Sequence, residues 1–263
     1  MIKPIIQEQN KPLYPDLIWS KPENKNNAGK ILIIGGNQYE FKNIASIYEY
    51  LIKAKVGSIK IILPDILKKQ IKLDPEVGIF LASNRSGSFS QKALLELIEY
   101  SSWADSVILG GDFGKNAETR LLFETYLEKN NNNFIFTNDS SNFIPKTSSN
   151  NIEIIIQPLN ILQKFFLSLT HQVTLSLQDN PDQIYQKLTE LNKIYNQPII
   201  TLINNNVLFV YNQKIVLTRS INPIDQNQIF NKLSSYISSY VAINNDKLFK
   251  MISSGIYEAL NEQ

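Results

Sequence analysis

The strongest constraint on this chain is a hydrophobic run that does not alternate. Residues 30–36 read KILIIGG, with Ile31, Leu32, Ile33 and Ile34 in succession before a pair of glycines. A strand with one wet face alternates polar and apolar side chains, so an unbroken run requires cover on both faces. The same pattern returns at 58–65 (SIKIILPD), 105–114 (DSVILGGDFG), 133–139 (NFIFTND) and 152–158 (IEIIIQP). Helical spacing lies between the runs, at 39–57, 90–105 and 116–130. Gly57 reads as the C-cap of the first helix and Ser90 as the N-cap of the second. Asn116 reads as the N-cap of the third, with Glu118 in its first turn. Strand and helix in turn predict an α/β chain, a three-layer α/β/α arrangement around a mostly parallel central sheet.

The second half changes character. Residues 159–177 and 181–197 read as helices. Residues 198–220 (PIITLINNNVLFVYNQKIVLTRS) are three β runs split by Asn-rich turns, a C-terminal β meander. A final helical segment covers 227–260, where LSSYISSYV (233–241) has the small and aromatic spacing of a helix–helix or subunit contact. Residues 1–26 form a Pro-interrupted arm that is expected to place Tyr14, Leu17, Ile18 and Trp19 on the core. No linker rich in Pro, Gly or Ser divides the 263 residues, so a single domain over 1–263 is expected.

Composition narrows the chemistry. Lys and Arg number 26 against 24 Asp and Glu, and they are scattered, so neither nucleic acid nor an acidic membrane is the expected partner. Cysteine is absent, which excludes disulfides, thiolate metal sites and a Cys nucleophile. The single histidine, His171, excludes a His-rich metal site and reads as a polar residue on a helix or loop. No segment approaches a membrane span and no signal-peptide core is evident, so a cytoplasmic protein is expected.

Ligands of open α/β sheets bind beyond the carboxyl ends of the strands. Three such ends carry suitable residues: Gly35, Gly36 and Asn37; Gly110, Gly111, Asp112 and Gly114; and Thr137, Asp139 and Asn142. Glycines there let a ligand approach the backbone and expose N–H groups to anions, or they merely permit tight turns. GxGxxG is absent and no Gly-Lys-Ser/Thr follows a glycine-rich turn, which argues against dinucleotide dehydrogenases and Walker-type NTPases.

In order and spacing these segments resemble the ribokinase-like, carbohydrate kinase-like domain of ADP/ATP-dependent NAD(P)H-hydrate dehydratases. The family's early strand ending G-G-S is matched by NNAGKILIIGGN (26–37). Its A-D-x-V-V-I-G-P-G-L-G…E-T is matched by WADSVILGGDFGKNAET (103–119), and its D-A-D-A-L-N by FTNDSSNFI (136–144). The departures are specific. Asp112 stands within the family's glycine loop, Thr137 replaces the first Asp of D-A-D, and Asp139 and Asn142 match the later positions. Gln157, Pro158, Leu159 and Asn160 stand for H-P-G-E. The family's late G-T-G-D loop, an anion hole at a helix N-terminus with Asp as base, has no glycine to build it, since none occurs between residues 115 and 254.

The resemblance therefore implies a divergent, catalytically impaired member binding a nucleotide or other small ligand at the strand ends. ADP/ATP with Mg and an NAD(P)H-like ligand are the implied cofactors, and a homo-oligomer is the implied assembly. Asp225, ahead of the last helical segment, is the candidate residual base; the alternative is that it caps that helix. Two other readings stand. One is an active dehydratase or small-molecule kinase with a rebuilt phosphate site, using Asp112 or Asp225 with Lys30, Lys115 or Arg219. The other is a structural, oligomer-forming protein whose strand ends are only turns. The polar loop 83–91 reads as a lid or a solvated loop.

Overall fold

The computed structural model describes residues 3–145, 151–170, 173–176 and 178–262, so His171 lies outside the described residues. The arm supplies β1 (Ile5–Gln7) and a short α1 (Pro15–Trp19). The first half then runs β2 (Lys30–Gly35), α2 (Lys42–Lys53), β3 (Ser58–Pro64), β4 (Gly78–Leu81) and α3 (Leu94–Trp103). It continues with β5 (Ser106–Gly111), α4 (Ala117–Glu128), β6 (Phe134–Thr137) and β7 (Glu153–Ile156). The second half is α5 (Leu159–Leu169), α6 (Pro181–Ile194), the meander β8 (Ile199–Ile203), β9 (Asn206–Tyr211) and β10 (Lys214–Arg219), then α7 (Ile229–Val241) and α8 (Leu248–Asn261).

Among the described residues, ten strands join one sheet in the order β1-β10-β9-β8-β7-β6-β5-β2-β3-β4. Every pair is parallel except those of β9, which runs antiparallel to β8 and β10. The unbroken apolar runs are explained by the two cores they feed. Leu32, Ile34, Leu109 and Phe136 meet Leu97, Phe123, Phe166 and Leu188 of α3, α4, α5 and α6 on one face. Ile31, Ile33, Ile108 and Ile135 meet Ile47, Leu233 and Ile252 of α2, α7 and α8 on the other. Successive side chains thus alternate between two apolar layers, not between core and water.

Several expectations need correction. The arm does more than pack: β1 pairs in parallel with β10, Ile5 opposite Val216, and becomes an edge of the sheet. Gln7 pins it, donating from Nε2 to Thr218 Oγ1 and to the Ser253 carbonyl, each at 3.0 Å. Leu17 reaches the core, but Trp19 is 87% exposed, because α1 is too short to turn both faces inward. The α2 helix stops before Gly57, and Lys55 takes the left-handed turn at φ +57. Gly57 instead admits a close pass of the chain, since a Cβ there would lie 2.0 Å from the Lys25 carbonyl oxygen. The helix expected over 159–177 ends at Leu169, where Thr170 turns extended at φ −153. The last segment is two helices, and Tyr236 and Tyr240 of α7 are buried within this chain. Among the described residues, no helix is long and apolar enough to cross a membrane.

The strand order fixes where a ligand would sit. After β2 the chain moves outward through β3 and β4, then returns to place β5 on the other side of β2. The reversal opens a crevice beyond the ends of β2 and β5.

Candidate functional site

At that crevice the two glycine pairs meet. The Gly36 N–H donates to the Gly111 carbonyl at 3.0 Å, and a Cβ on Gly35 would lie 2.4 Å from the same oxygen. Gly111 adopts φ +96 and its neighbour Asp112 φ +60. A non-glycine residue in the left-handed region costs about 1–2 kcal/mol and is held there by its surroundings. Here Asn37 Nδ2 donates to the Asp112 carbonyl at 2.7 Å. Asn43, in the first turn of α2, donates its backbone N–H to Asp112 Oδ2 at 3.1 Å and its Nδ2 to Oδ1 at 2.7 Å. Burial pushes the Asp112 carboxyl up to about 6 against the pull of these two bonds, and the charges of Glu40 and Asp139 add to the rise.

The polar chain continues across the layers. Asn231, in the first turn of α7, donates to Asn43 Oδ1 at 2.9 Å. Asn138, at φ +55, donates to Asn231 Oδ1 at 2.7 Å and to the Gly110 carbonyl at 2.8 Å. The ends of β2, β5 and β6 and the starts of α2 and α7 are thereby tied together. Asp139 fills the glycine-rich end of β5 from within: its Oδ2 accepts the Phe113 N–H at 3.1 Å. Burial raises its pKa, opposed by the amides of Phe113 and Asp112.

Beyond β5, β6 and β7 lies a cleft of about 1020 Å³. Its walls include Gly114, Lys115, Asn116, Arg120, Asn138, Asp139, Asn142, Phe143, Gln157, Lys164, Phe165 and Phe230. A second hollow of about 530 Å³ shares Gly114, Lys115 and Asn116 with it and is bounded by Asn37, Tyr39, Glu40, Ser86 and Ser88. The loop 83–91 is tied to this wall, with Ser88 Oγ donating to the Phe113 carbonyl at 2.6 Å and the Gln38 N–H to the Gly87 carbonyl at 2.8 Å. Ligand pockets commonly enclose roughly 300–1,000 Å³, so the cleft is large enough for a nucleotide.

The candidate residues fall into distinct groups. Gly114, Asp139 and Asn142 border the cleft, Asn37 borders the hollow, and Gly35, Gly36, Gly110 and Asp112 build the bracket behind them. Thr137 is wholly buried, with Oγ1 3.5 Å from the Phe230 carbonyl. Asp225 is exposed and caps its own turn. Its Oδ1 accepts the Asn227 N–H at 2.9 Å, and its carbonyl accepts those of Gln228 and Ile229 at 3.2 and 3.0 Å. Those amides lead into α7, and Ile229 is its first residue, so Asp225 takes part of the donor set where a phosphate hole was sought; the Phe230 and Asn231 amides are not among its partners. Lys30 starts β2 at the opposite end of the sheet, over the Trp103 ring, and Arg219 pairs with Glu8 at 3.0 Å. Lys115 borders the cleft, as do Arg120, which pairs with Glu124 at 2.8 Å, and Lys164.

The donor set does not fit a Mg²⁺ ion held by the protein. Asp112 and Asp139 are bound to Asn43 and Phe113, and among the described residues no three His, Asp or Glu side chains gather to hold a metal. Asn43, Asn138, Asn231 and Lys164 were not singled out by the sequence, and Gln157 entered only as the counterpart of the His in H-P-G-E. The asparagines were masked by a chain rich in Asn. Their signal was position, since Asn43 and Asn231 each open a helix that starts at the same end of the sheet.

No protein-family profile matches the chain, and no curated protein matches it. Solved structures do. A ribokinase-like superfamily protein from Enterococcus faecalis V583 aligns over 97% of this chain and 86% of its own, with TM-score 0.70 at 14% identity. A Streptococcus mutans protein described as hypothetical aligns over 99% and 89%, with TM-score 0.69 at 16% identity. The ADP/ATP-dependent NAD(P)H-hydrate dehydratase of Bacillus subtilis, co-crystallised with ATP/Mg²⁺, aligns over 95% and 87%, with TM-score 0.63 at 11% identity. At these identities the likeness speaks for architecture, and it agrees with the sheet order and the two helical layers: this chain has the ribokinase-like α/β fold.

Proposed function

We propose that this is a ribokinase-fold binding protein without efficient turnover, whose ligand is an anionic small molecule of nucleotide or dinucleotide size. The observation that carries the reading is a contrast between two places. Asp225 takes the Asn227 and Gln228 amides and the first amide of α7, that of Ile229, whereas the cleft beside it is bordered by Lys115, Arg120 and Lys164 and by Phe143, Phe165 and Phe230. Cations on an aromatic-lined cleft suit a phosphate attached to a ring. The nucleotide bound by the Bacillus subtilis structure supports a nucleotide as the first ligand to try.

Weak chemistry follows from the carboxylates. A general base must reach the proton it removes with a free lone pair. Asp112 is held at both oxygens by Asn43, Asp225 is held by its own turn, Asn231 is neutral, and Asp139 is turned inward, with Oδ2 on the Phe113 N–H and Oδ1 buried against Gly111.

Titration calorimetry with ADP, ATP, NADH and pyrophosphate tests the reading, alongside assays for hydrate dehydration and phosphoryl transfer. Binding weakened about tenfold by Lys115→Ala or Lys164→Ala, with no turnover, is the expected result. Absence of all binding at millimolar concentration, or turnover at ordinary enzyme rates, overturns it.

A further inference from the structure

Three asparagines that the proposed function leaves unused form one directed chain. Asn138 Nδ2 donates to Asn231 Oδ1 at 2.7 Å, Asn231 Nδ2 to Asn43 Oδ1 at 2.9 Å, and Asn43 Nδ2 to Asp112 Oδ1 at 2.7 Å. Every amide turns its donor end toward Asp112 and its acceptor end toward Asn138. Both ends of the chain can only accept. The Gly110 carbonyl takes a second bond from Asn138 Nδ2 at 2.8 Å, and the ionised Asp112 carboxyl takes the Asn43 backbone N–H on Oδ2 at 3.1 Å. Asp112 and Asn231 are buried, so bulk water does not repair a mismatch there. A hydrogen-bond chain that ends on a charge is strengthened along its length.

The chain is complete with Asp112 ionised and incomplete with Asp112 protonated. A protonated oxygen is itself a donor, and the groups bonded to the Asp112 oxygens are N–H donors. Turning the Asn43 amide to accept the proton sets its NH₂ against that of Asn231, and turning Asn231 sets its NH₂ against that of Asn138. Asn138 cannot turn in its place without setting its oxygen against the Gly110 carbonyl. Proton uptake therefore costs a bond somewhere in the chain. Asn138 stands at the far end, at φ +55, on the border of the cleft. We propose that Asp112, Asn43, Asn231 and Asn138 are a pH-sensitive switch. The ionised carboxylate holds the Asn138 amide in one orientation at the rim of the cleft, and proton uptake at Asp112 releases it. The charges acting on Asp112 are Glu40, from the turn ahead of α2, and Asp139, after β6; α2 and the end of β2 offer it the neutral Asn43 and Asn37. Burial and the two charges raise the carboxyl against the pull of Asn43, which sets the switch at about 6. Its effect on binding rests on the reading of the cleft as a ligand site, whereas the release of Asn138 does not.

The test is NMR of the side-chain amides and carboxyl carbons of the full chain from pH 4.5 to 7.5, which needs no ligand. The Asn138 amide is expected to move with the Asp112 carboxyl, with a shared midpoint near 6, and to stay still in Asp112→Asn. In Asn231→Leu, which keeps the side-chain size and removes the link, Asp112 should still titrate while Asn138 no longer follows it. Circular dichroism checks that this variant folds; should it not, Asn231→Ser, too short to bridge Asn43 and Asn138, takes its place. Asn138 unmoved while Asp112 titrates overturns the switch, as does an Asp112 that is silent across the range. Asn138 following Asp112 equally well without Asn231 also overturns it, since that response is the charge acting through space. Calorimetry with ADP at pH 5 and 7.5 reads the consequence for the cleft. The affinity ratio of the parent to Asn231→Leu, in which protonation of ADP itself cancels, is expected to change about threefold or more between the two. A constant ratio overturns the link to the cleft. No ADP binding by the parent at millimolar concentration removes the cleft reading and leaves the switch to be decided by the NMR titration.

Discussion

Asn43 grips the Asp112 carboxylate with both of its N–H groups, the backbone to Oδ2 at 3.1 Å and the side chain to Oδ1 at 2.7 Å. The contact joins the start of α2 to the end of β5 across the switch point of the sheet. It also holds Asp112 at φ +60, and its other side-chain atom, Oδ1, receives Asn231 from α7. One side chain therefore sets the spacing of three elements.

Replacing Asn43 by Ala leaves the backbone bond and removes the side-chain bonds to Asp112 and Asn231. Two buried polar groups lose partners, one of them a carboxylate, so a loss of about 2–3 kcal/mol in urea unfolding is expected. The Asp112 carboxyl should titrate higher than in the parent protein, readable by carboxyl carbon NMR. An unchanged titration would show that the side-chain bond does not hold the carboxylate.

Stability should depend on Asp112 in a defined pH window. The folded carboxyl keeps its proton up to about 6, while the unfolded one releases it near 3.8. Between those values the folded state binds more protons, so this group's contribution to stability falls as pH rises, and stays at its lower level above the window. Burial shifts Asp139 in the same direction. Comparison of urea midpoints for the parent and Asp112→Asn from pH 4 to 7.5 should show the variant gaining on the parent as pH rises. A constant difference would contradict the raised titration.

The two glycines that flank this residue should answer differently to alanine. At Gly111, φ is +96 and an added Cβ would meet Asn138 Cβ at 2.7 Å and Asp139 Oδ1 at 2.8 Å. Strain and clash together should cost roughly 3 kcal/mol or more. At Gly114, φ is +73 but the nearest atom is Asn37 Nδ2 at 4.0 Å, so only the backbone cost of about 1–2 kcal/mol remains. Denaturant midpoints of the two variants give the order directly.

Asp225→Ala should separate a cap from a base. Losing the Oδ1 contact to the Asn227 N–H is expected to cost about 0.5–1 kcal/mol in thermal or urea unfolding. Affinity for any nucleotide that binds should change by less than about twofold, since Asp225 does not border the cleft. A tenfold loss of ADP binding in this variant would restore Asp225 as a site residue.

The sheet was legible because its signal is local. Uncut aliphatic runs such as Ile31–Ile34 and Ile154–Ile156 admit only a strand covered on both faces; Asn116 caps α4 by its own side-chain bond, and Ser90 caps the 3₁₀ turn Gln91–Ala93 that leads into α3 instead of α3 itself. The three glycine-bearing strand ends were likewise visible as a set, since parallel strands place their carboxyl ends together. Gly57 and Trp19 were misjudged because a glycine serves close approach as readily as a cap, and an aromatic residue in a five-residue helix has no fixed inward face.

What the sequence determined alone is the layered α/β architecture, the late absence of glycine, and the crowding of polar residues at one end of the sheet. Only the tertiary structure decided how those residues are used. Asn43, Asn138 and Asn231 lie far apart along the chain and acquire meaning when helix starts and strand ends converge on Asp112. Asp139 turned inward onto the Phe113 amide, Asp225 onto its own turn, and Thr137 under α7. Periodicity records which face a residue presents to its own element; a hydrogen-bond partner or an unanswered acceptor exists only once distant segments have been packed together.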